Sequence, residues 1–264
     1  LAEMLQYRFE ESELDGHSFG NLFITALTRV TGSFDAAVRE LNRLLRVRGQ
    51  VLPATGHKVS LIATHPDGTK STGEVQISAS AKPIRSVVLR PRVGRAKPDL
   101  LEAIEQAELF VFGPGSLFTS VIPNLLVPGI AETVKANPCP KAYVANIMTQ
   151  PGETDGLDLV GHLDALEQHA SGKLLDAVVV NDGEIPPKLQ KTYRTYGATP
   201  VTGSEAMFED RGLDVVRADL IDHDLLASDR PVVRHHSGRL AQCLMDYLER
   251  SRAGEVRAEG TRGS

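Results

Sequence analysis

Gly113, Pro114, Gly115 and Ser116 directly follow the apolar run Leu109-Phe110-Val111-Phe112, and Thr119 and Ser120 come soon after. Glycines let backbone N–H groups approach a ligand closely, and a serine able to cap the next helix stands at a terminus whose partial positive charge favours an anion. That chemistry is a phosphate cradle. No Gly-Lys-Ser/Thr follows, so it is not a Walker loop, and the third glycine of a dinucleotide fingerprint is missing. A glycine-rich connector shaped by steric demands alone is the plainer alternative.

Two further apolar runs end in polar loops of similar character. Ala142 to Asn146 leads into Ile147-Met148-Thr149-Gln150-Pro151-Gly152-Glu153-Thr154, and Ala177 to Asn181 leads into Asp182-Gly183-Glu184. In parallel sheets ligands bind beyond the carboxyl ends of the strands, so Asn146, Thr149, Gln150 and Asn181 are candidates to contact a ligand. Hydrogen bonding within the loops themselves is the competing expectation. Arg234 follows Val232-Val233 at what reads as a strand end, where its fork can clamp a phosphate; a rim salt bridge is the alternative.

Gly16-His17-Ser18-Phe19-Gly20 matches the G-x-S-x-G nucleophile elbow. An elbow needs an apolar strand before it, and Glu10 to Asp15 supplies mostly charges. The stretch reads instead as a helix start with Ser18 as its cap, leaving His17, Gly20 and Asn21 available to a ligand. The histidines are scattered with no His-x-x-x-His, and Cys139 and Cys243 form no C-x-x-C, so neither a zinc site nor a disulfide framework is expected. No side chain stands out as a catalytic base or nucleophile.

The elements that must hold these residues follow from periodicity. Phe23 to Val30 and Ala37 to Leu45 repeat at helical spacing around Thr31-Gly32-Ser33, giving two packed helices. From Val51 to about residue 90 the period becomes two, with a turn at Pro66-Asp67-Gly68, extended pieces through Val59 to Ala63 and Ile84 to Leu89, and a further extended piece at Val75 and Ile77. After Pro98 helices alternate with short apolar strands: helices over 99–107, 116–126, 157–169 and 237–250, and strands at 109–112, 142–146, 177–181 and 215–218. The fold expected is α/β, Rossmann-like, with a doubly wound mostly parallel sheet and an antiparallel β insertion. Residues 1–250 read as one domain, and 251–264 as a flexible polar tail.

Composition narrows the partners. The chain has 264 residues, 41% hydrophobic and 24% charged, with a net charge of −5, which argues against a surface built to neutralise nucleic acid. No apolar stretch reaches the length of a membrane span, and no secretory signal opens the chain, so a cytoplasmic protein is expected. The first residue is Leu1, within what reads as mid-helix, and a natural N-terminal segment is expected to precede it.

Together "GHSFGNLF", "VRGQVLPAT", "GPGSLFTSVIPNLLVPGI", "NIMTQPGETDG" and "VVRHH" resemble the gluconeogenesis factor family, YvcK-type and CofD-like, related to 2-phospho-L-lactate transferase. The resemblance runs from about Leu1 to Leu248. It implies a Rossmann-like protein that binds a UDP-sugar and is tied to carbon metabolism and bacterial cell shape, with a protein partner and a homo-oligomeric state. Transfer of a phosphoryl-linked group, as in the transferase relatives, is the other activity it implies. The family's Gly-Gly-Gly-Thr-Gly turn and Asp-Asp-Gly-Gly-Ser-Ser segment are not in this chain, so any Mg²⁺ linked to those acidic residues is expected to depend on them.

Overall fold

The structure is a computed structural model describing residues 4–5, 7–10, 13–14, 17–45, 49–204, 208, 210–228 and 231–254. Gly16 and residues 255–264 of the expected tail lie outside these. By its contacts the chain divides into a smaller unit, Leu1–Lys58 with Lys97–Leu100, and a larger one, Val59–Ala96 with Leu101–Ser264.

The smaller unit is a pair of packed helices, α1 (Phe19–Thr31) and α2 (Phe34–Leu45). Ser18 starts α1 by accepting the Asn21 N–H at 3.2 Å, which satisfies one of the donors a helix start leaves over. Gly32, at φ +80°, ends it by returning its N–H to the Thr28 carbonyl at 3.0 Å. Ser33 then accepts the Ala36 N–H at 3.2 Å to open α2. Ala37 and Val38 form the buried seam, and Lys97 pairs with Asp35.

The larger unit begins with an antiparallel sheet ordered β2-β1-β3, from β1 (Ser60–Thr64), β2 (Lys70–Thr72) and β3 (Ser86–Arg90). Gly68, at φ +81°, makes the expected turn, donating to the His65 carbonyl at 2.9 Å. Between β2 and β3 the structure corrects the sequence reading: Glu74–Ala79 is helix α3, not a strand. Val75 is 82% exposed and Ile77 is 0% exposed. Residues two apart share a face in a strand but lie on opposite sides of a helix, so this burial pattern is helical.

After α4 (Pro98–Glu105), a wholly parallel sheet runs β4-β5-β6-β7 from β4 (Phe110–Phe112), β5 (Lys141–Val144), β6 (Ala177–Asn181) and β7 (Asp214–Ala218). Between β4 and β5 lie a π-helical turn at Leu117–Val121, α5 (Ile122–Leu125) and α6 (Ile130–Ala136). The single helix expected over 116–126 is thus broken. Pro123, near the start of α5, has no N–H to give to an α-helical ladder. The remaining helices are α7 (Leu159–His169), α8 (Pro187–Thr195), α9 (His223–Leu226) and α10 (Ser237–Arg252).

Helices cover both faces of this sheet. Ala142, Val144, Ala177, Val179 and Val216 pack on one side against Leu240, Cys243 and Tyr247 of α10. Tyr143, alternating to the other side, bonds its hydroxyl to His162 Nδ1 of α7 at 2.9 Å. Full burial of each such large side chain contributes on the order of 1.5–3 kcal/mol. Helix α7 also ties the two sheets together: His169 Nδ1 meets the Ala165 carbonyl at 2.6 Å, leaving Nε2 to accept the Val87 N–H of β3 at 3.0 Å.

Candidate functional site

Parallel pairing puts the carboxyl ends of β4, β5, β6 and β7 on one edge, and the loops singled out in the sequence follow those ends. The two glycines after β4 differ in kind. Gly113 has φ +89°, and a Cβ there would stand 3.1 Å from the Val144 carbonyl oxygen, so the chain itself requires glycine. A Cβ on Gly115 would meet Ser120 Cβ at 3.5 Å and Val121 Cγ2 at 3.8 Å, ordinary contacts. A methyl group at Gly115 would therefore meet only ordinary van der Waals contacts within the fold.

Ser116 occupies the cap position, but its side chain does not cap, contrary to the sequence expectation. The following turn is wound more loosely than an α-helix: the Ser116 carbonyl accepts both the Ser120 N–H at 2.9 Å and the Val121 N–H at 3.0 Å, and Ile122 donates back to Leu117. The Ser116 hydroxyl is thereby free to accept from Gln150 Nε2 at 2.9 Å. Isolated π-turns concentrate at functional positions. Leu117, Phe118 and Val121 are buried and anchor the turn, Pro114 and Ser120 are exposed, and Thr119 is half-buried.

The loop after β5 is built to meet this turn. The Gln150 N–H reaches Thr154 Oγ1 at 2.8 Å, while its carbonyl accepts the N–H groups of Glu153 at 3.0 Å and Thr154 at 2.9 Å. Gly152, at φ +82°, lies so close to α3 that a Cβ would stand 2.5 Å from the Ser78 carbonyl oxygen. Thus fixed, the loop makes two side-chain bridges, each spanning 34 residues of sequence: Gln150 to Ser116, and Thr119 Oγ1 to Glu153 Oε1 at 2.9 Å. Gln150 Oε1 and Glu153 Oε2 are buried without a hydrogen-bond partner among the described residues. Burial pushes the Glu153 carboxyl above the usual carboxylate range, against the opposing pull of Thr119.

Other expected site residues are already engaged. Thr149 is 4% exposed; its N–H donates to the Thr199 carbonyl at 2.7 Å, and its Oγ1 accepts the Thr199 N–H at 2.9 Å. Asn181 Oδ1 accepts from Leu220 at 2.9 Å and from Gly183 at 3.3 Å, while its Nδ2 donates to the Gly183 carbonyl at 3.0 Å. Asn146 is half-buried, with Oδ1 at 3.4 Å from the Tyr143 hydroxyl.

Arg234 has an exposed side chain, and its carbonyl accepts the Asp222 N–H at 2.8 Å. The strand expected before it is absent: Val232 and Val233 lie in irregular chain, held where the Val233 N–H meets the Tyr193 hydroxyl at 3.0 Å. An isolated bridge pairs His235 with Ile221, and the His235 ring bonds the Ala145 backbone. The Val-Val-Arg-His-His segment therefore runs past the carboxyl ends of β5 and β7. Burial lowers the pKa of His235 and keeps it neutral.

In the smaller unit, Ser18 caps α1, His17 and Asn21 are exposed, and a Cβ on Gly20 would stand 2.8 Å from the Leu5 carbonyl oxygen. The sequence reading missed Glu153. It sits in a Pro-Gly-Glu-Thr turn, a setting that reads as exposed, and its only signal was adjacency to Gln150. No group of three or more His, Cys, Asp or Glu among the described residues is arranged to hold a metal.

Comparison with known proteins identifies the lineage. The profile of the family described as 2-phospho-L-lactate transferase CofD matches residues 1–221. The gluconeogenesis factor of Bacillus subtilis is 38% identical over 250 residues, 94% of this chain and 77% of that protein. That of Halalkalibacterium halodurans is 37% identical over 252 residues, 95% of this chain and 77% of its own. A crystal structure of a UPF0052 family protein from Bacillus halodurans has a TM-score of 0.83 and 37% identity, covering 92% of this chain and 77% of that one. With the profile, the sequence relatives and the fold in agreement, the chain belongs to the CofD family.

Proposed function

We propose that this protein is a gluconeogenesis factor that binds a UDP-linked sugar at the carboxyl edge of its parallel sheet and passes that state to a protein partner, linking carbon metabolism to cell shape. The observation that carries the reading is the joining of two polar loops at that edge. Gln150–Ser116 and Thr119–Glu153 hold the glycine-rich turn in place, while Gly115 offers backbone that the fold itself has no need to keep bare. The diphosphate lies over Gly113, Gly115 and Ser116, with Asn146 and Gln150 along the nucleotide or sugar and Arg234 supplying positive charge. The protein acts in the cytoplasm as a homo-oligomer; no single helix among the described residues is long and apolar enough to cross a membrane.

The test is calorimetric titration of UDP-glucose into the wild type and Gly115→Ala. Ordinary contacts around the added methyl predict an unchanged melting temperature, whereas affinity falls about 10-fold, or ~1.4 kcal/mol. Equal affinities would remove the glycine-rich turn from the site. The family match itself favours one second reading, transfer of a phosphoryl-linked group from a nucleotide substrate. Incubation with labelled UDP-sugar and analysis for a transferred group separates the two, since the regulatory reading expects the ligand to be recovered intact.

A further inference from the structure

Glu153 is an unusual choice for its place. It is 5% exposed, and one carboxyl oxygen has no partner among the described residues. The other accepts the Thr119 hydroxyl, and the backbone groups of Phe118 and Thr119 face the same carboxyl. A buried ionised carboxylate needs a cation or several donors to offset its lost hydration. The charged neighbour that α3 contributes is Glu74, of like sign. Asp155, on the same loop as Glu153, is occupied by the Gly152 N–H at 2.7 Å. His169, edge-on to Phe118 at 6.1 Å, has its pKa lowered by burial and gives no compensating charge near neutrality.

We propose that Glu153 is the positioning residue of the nucleotide-sugar site and couples its occupancy to a proton: one oxygen holds the Leu117–Val121 turn through Thr119, and a diphosphate binds the turn with Glu153 uncharged. This rests on the nucleotide-sugar reading above. Gln150–Ser116 and Thr119–Glu153 tie the carboxyl to the same turn that begins at the phosphate-binding glycines, so a charge on Glu153 opposes an anion there. Desolvation raises the Glu153 pKa, outweighing Thr119 and the facing backbone donors, so the uncharged form is accessible before any ligand arrives. Affinity then falls as pH rises through the Glu153 titration. UDP-glucose is the suitable probe because its doubly esterified diphosphate keeps one charge state across that range.

Two measurements on wild type, Glu153→Gln and Thr119→Val decide the matter. The first is melting temperature against pH without ligand. A carboxyl with a raised folded-state pKa contributes stability that is full below its unfolded pKa and lost as pH rises through the folded one. Wild type should therefore lose stability relative to Glu153→Gln over that window, and identical profiles overturn the proposal whatever the ligand does. The second is UDP-glucose affinity at about pH 5.5 and about pH 8, where wild type should weaken roughly 10-fold and Glu153→Gln less than about 2-fold, with glutamine retaining the low-pH affinity. Thr119→Val should weaken binding about 5-fold at both pH values while keeping the wild-type pH trend. Binding with the same pH trend in wild type and Glu153→Gln overturns the coupling and leaves the nucleotide-sugar reading standing. Diverging melting profiles with no UDP-glucose binding to any of the proteins overturn that reading instead, and the coupling with it.

Discussion

At the amino edge of the parallel sheet, Lys141 is only 8% exposed, yet its ammonium group donates to the carbonyls of Asn137 at 2.7 Å and Cys139 at 2.8 Å and lies 3.9 Å from Asp176. Asn137 Nδ2 is shared among the carbonyls of Ile104, Glu105 and Ala107 at 2.9 to 3.1 Å. At the carboxyl edge, Glu153 is buried and Gln150 half-buried, but each keeps a buried oxygen without a partner among the described residues. Buried polar groups that satisfy one another hold strands in place. Groups left half-satisfied cost stability, and they recur where a ligand or a proton completes the set.

The amino edge should give the largest effect on stability and none on binding. Lys141→Ala removes the donor to two backbone carbonyls, and is expected to destabilise the protein by about 3 kcal/mol in urea unfolding while leaving UDP-glucose affinity unchanged. A loss of affinity at constant stability would erase the distinction between the edges.

A similar magnitude is expected under the sheet, where burial pushes His162 down to about 4 from an ordinary 6.5. Its folded-state pKa is the lower one, so its neutral form contributes stability that is full above the unfolded value and lost as pH falls through 6.5 toward 4. About 2–3 kcal/mol should disappear over that window, and His162→Phe should flatten the acid limb of the melting profile. An acid limb unchanged in the variant would mean that another group controls it.

Arg234 tests the carboxyl edge itself. One charge-assisted contact with the diphosphate corresponds to about 1.5–3 kcal/mol, so Arg234→Ala should weaken UDP-glucose binding roughly 10- to 100-fold, with Arg234→Lys recovering part of it. Its exposed side chain predicts a stability change of only about 0–1 kcal/mol. The opposite pattern, altered stability with equal affinities, would make it a rim residue.

Much of the fold was legible because burial was written as composition. The run Ala177 to Asn181 was read as a strand and is β6 with those bounds. The caps around Thr31-Gly32-Ser33 likewise announced both ends of the helix junction. What escaped depends on contacts distant in sequence. Val75 and Ile77 fit a strand until packing shows one exposed and the other buried. No local pattern marks a π-turn, and the broken helix needed the approach of the 146–154 loop to show what Ser116 and Thr119 bond to. The site was legible as loops rather than as atoms: the glycine-rich turn and Gln150 do meet, whereas Asn181 and Thr149 spend their polar groups on neighbouring backbone.

The most direct test of the difference between the edges is a crystal structure of the protein with UDP-glucose bound. The account predicts diphosphate oxygens within about 3 Å of backbone N–H groups at Gly115 or Ser116, with the Thr119–Glu153 bridge intact and the amino edge around Lys141 empty of ligand. A diphosphate seated away from the Gly113–Ser120 turn would contradict it.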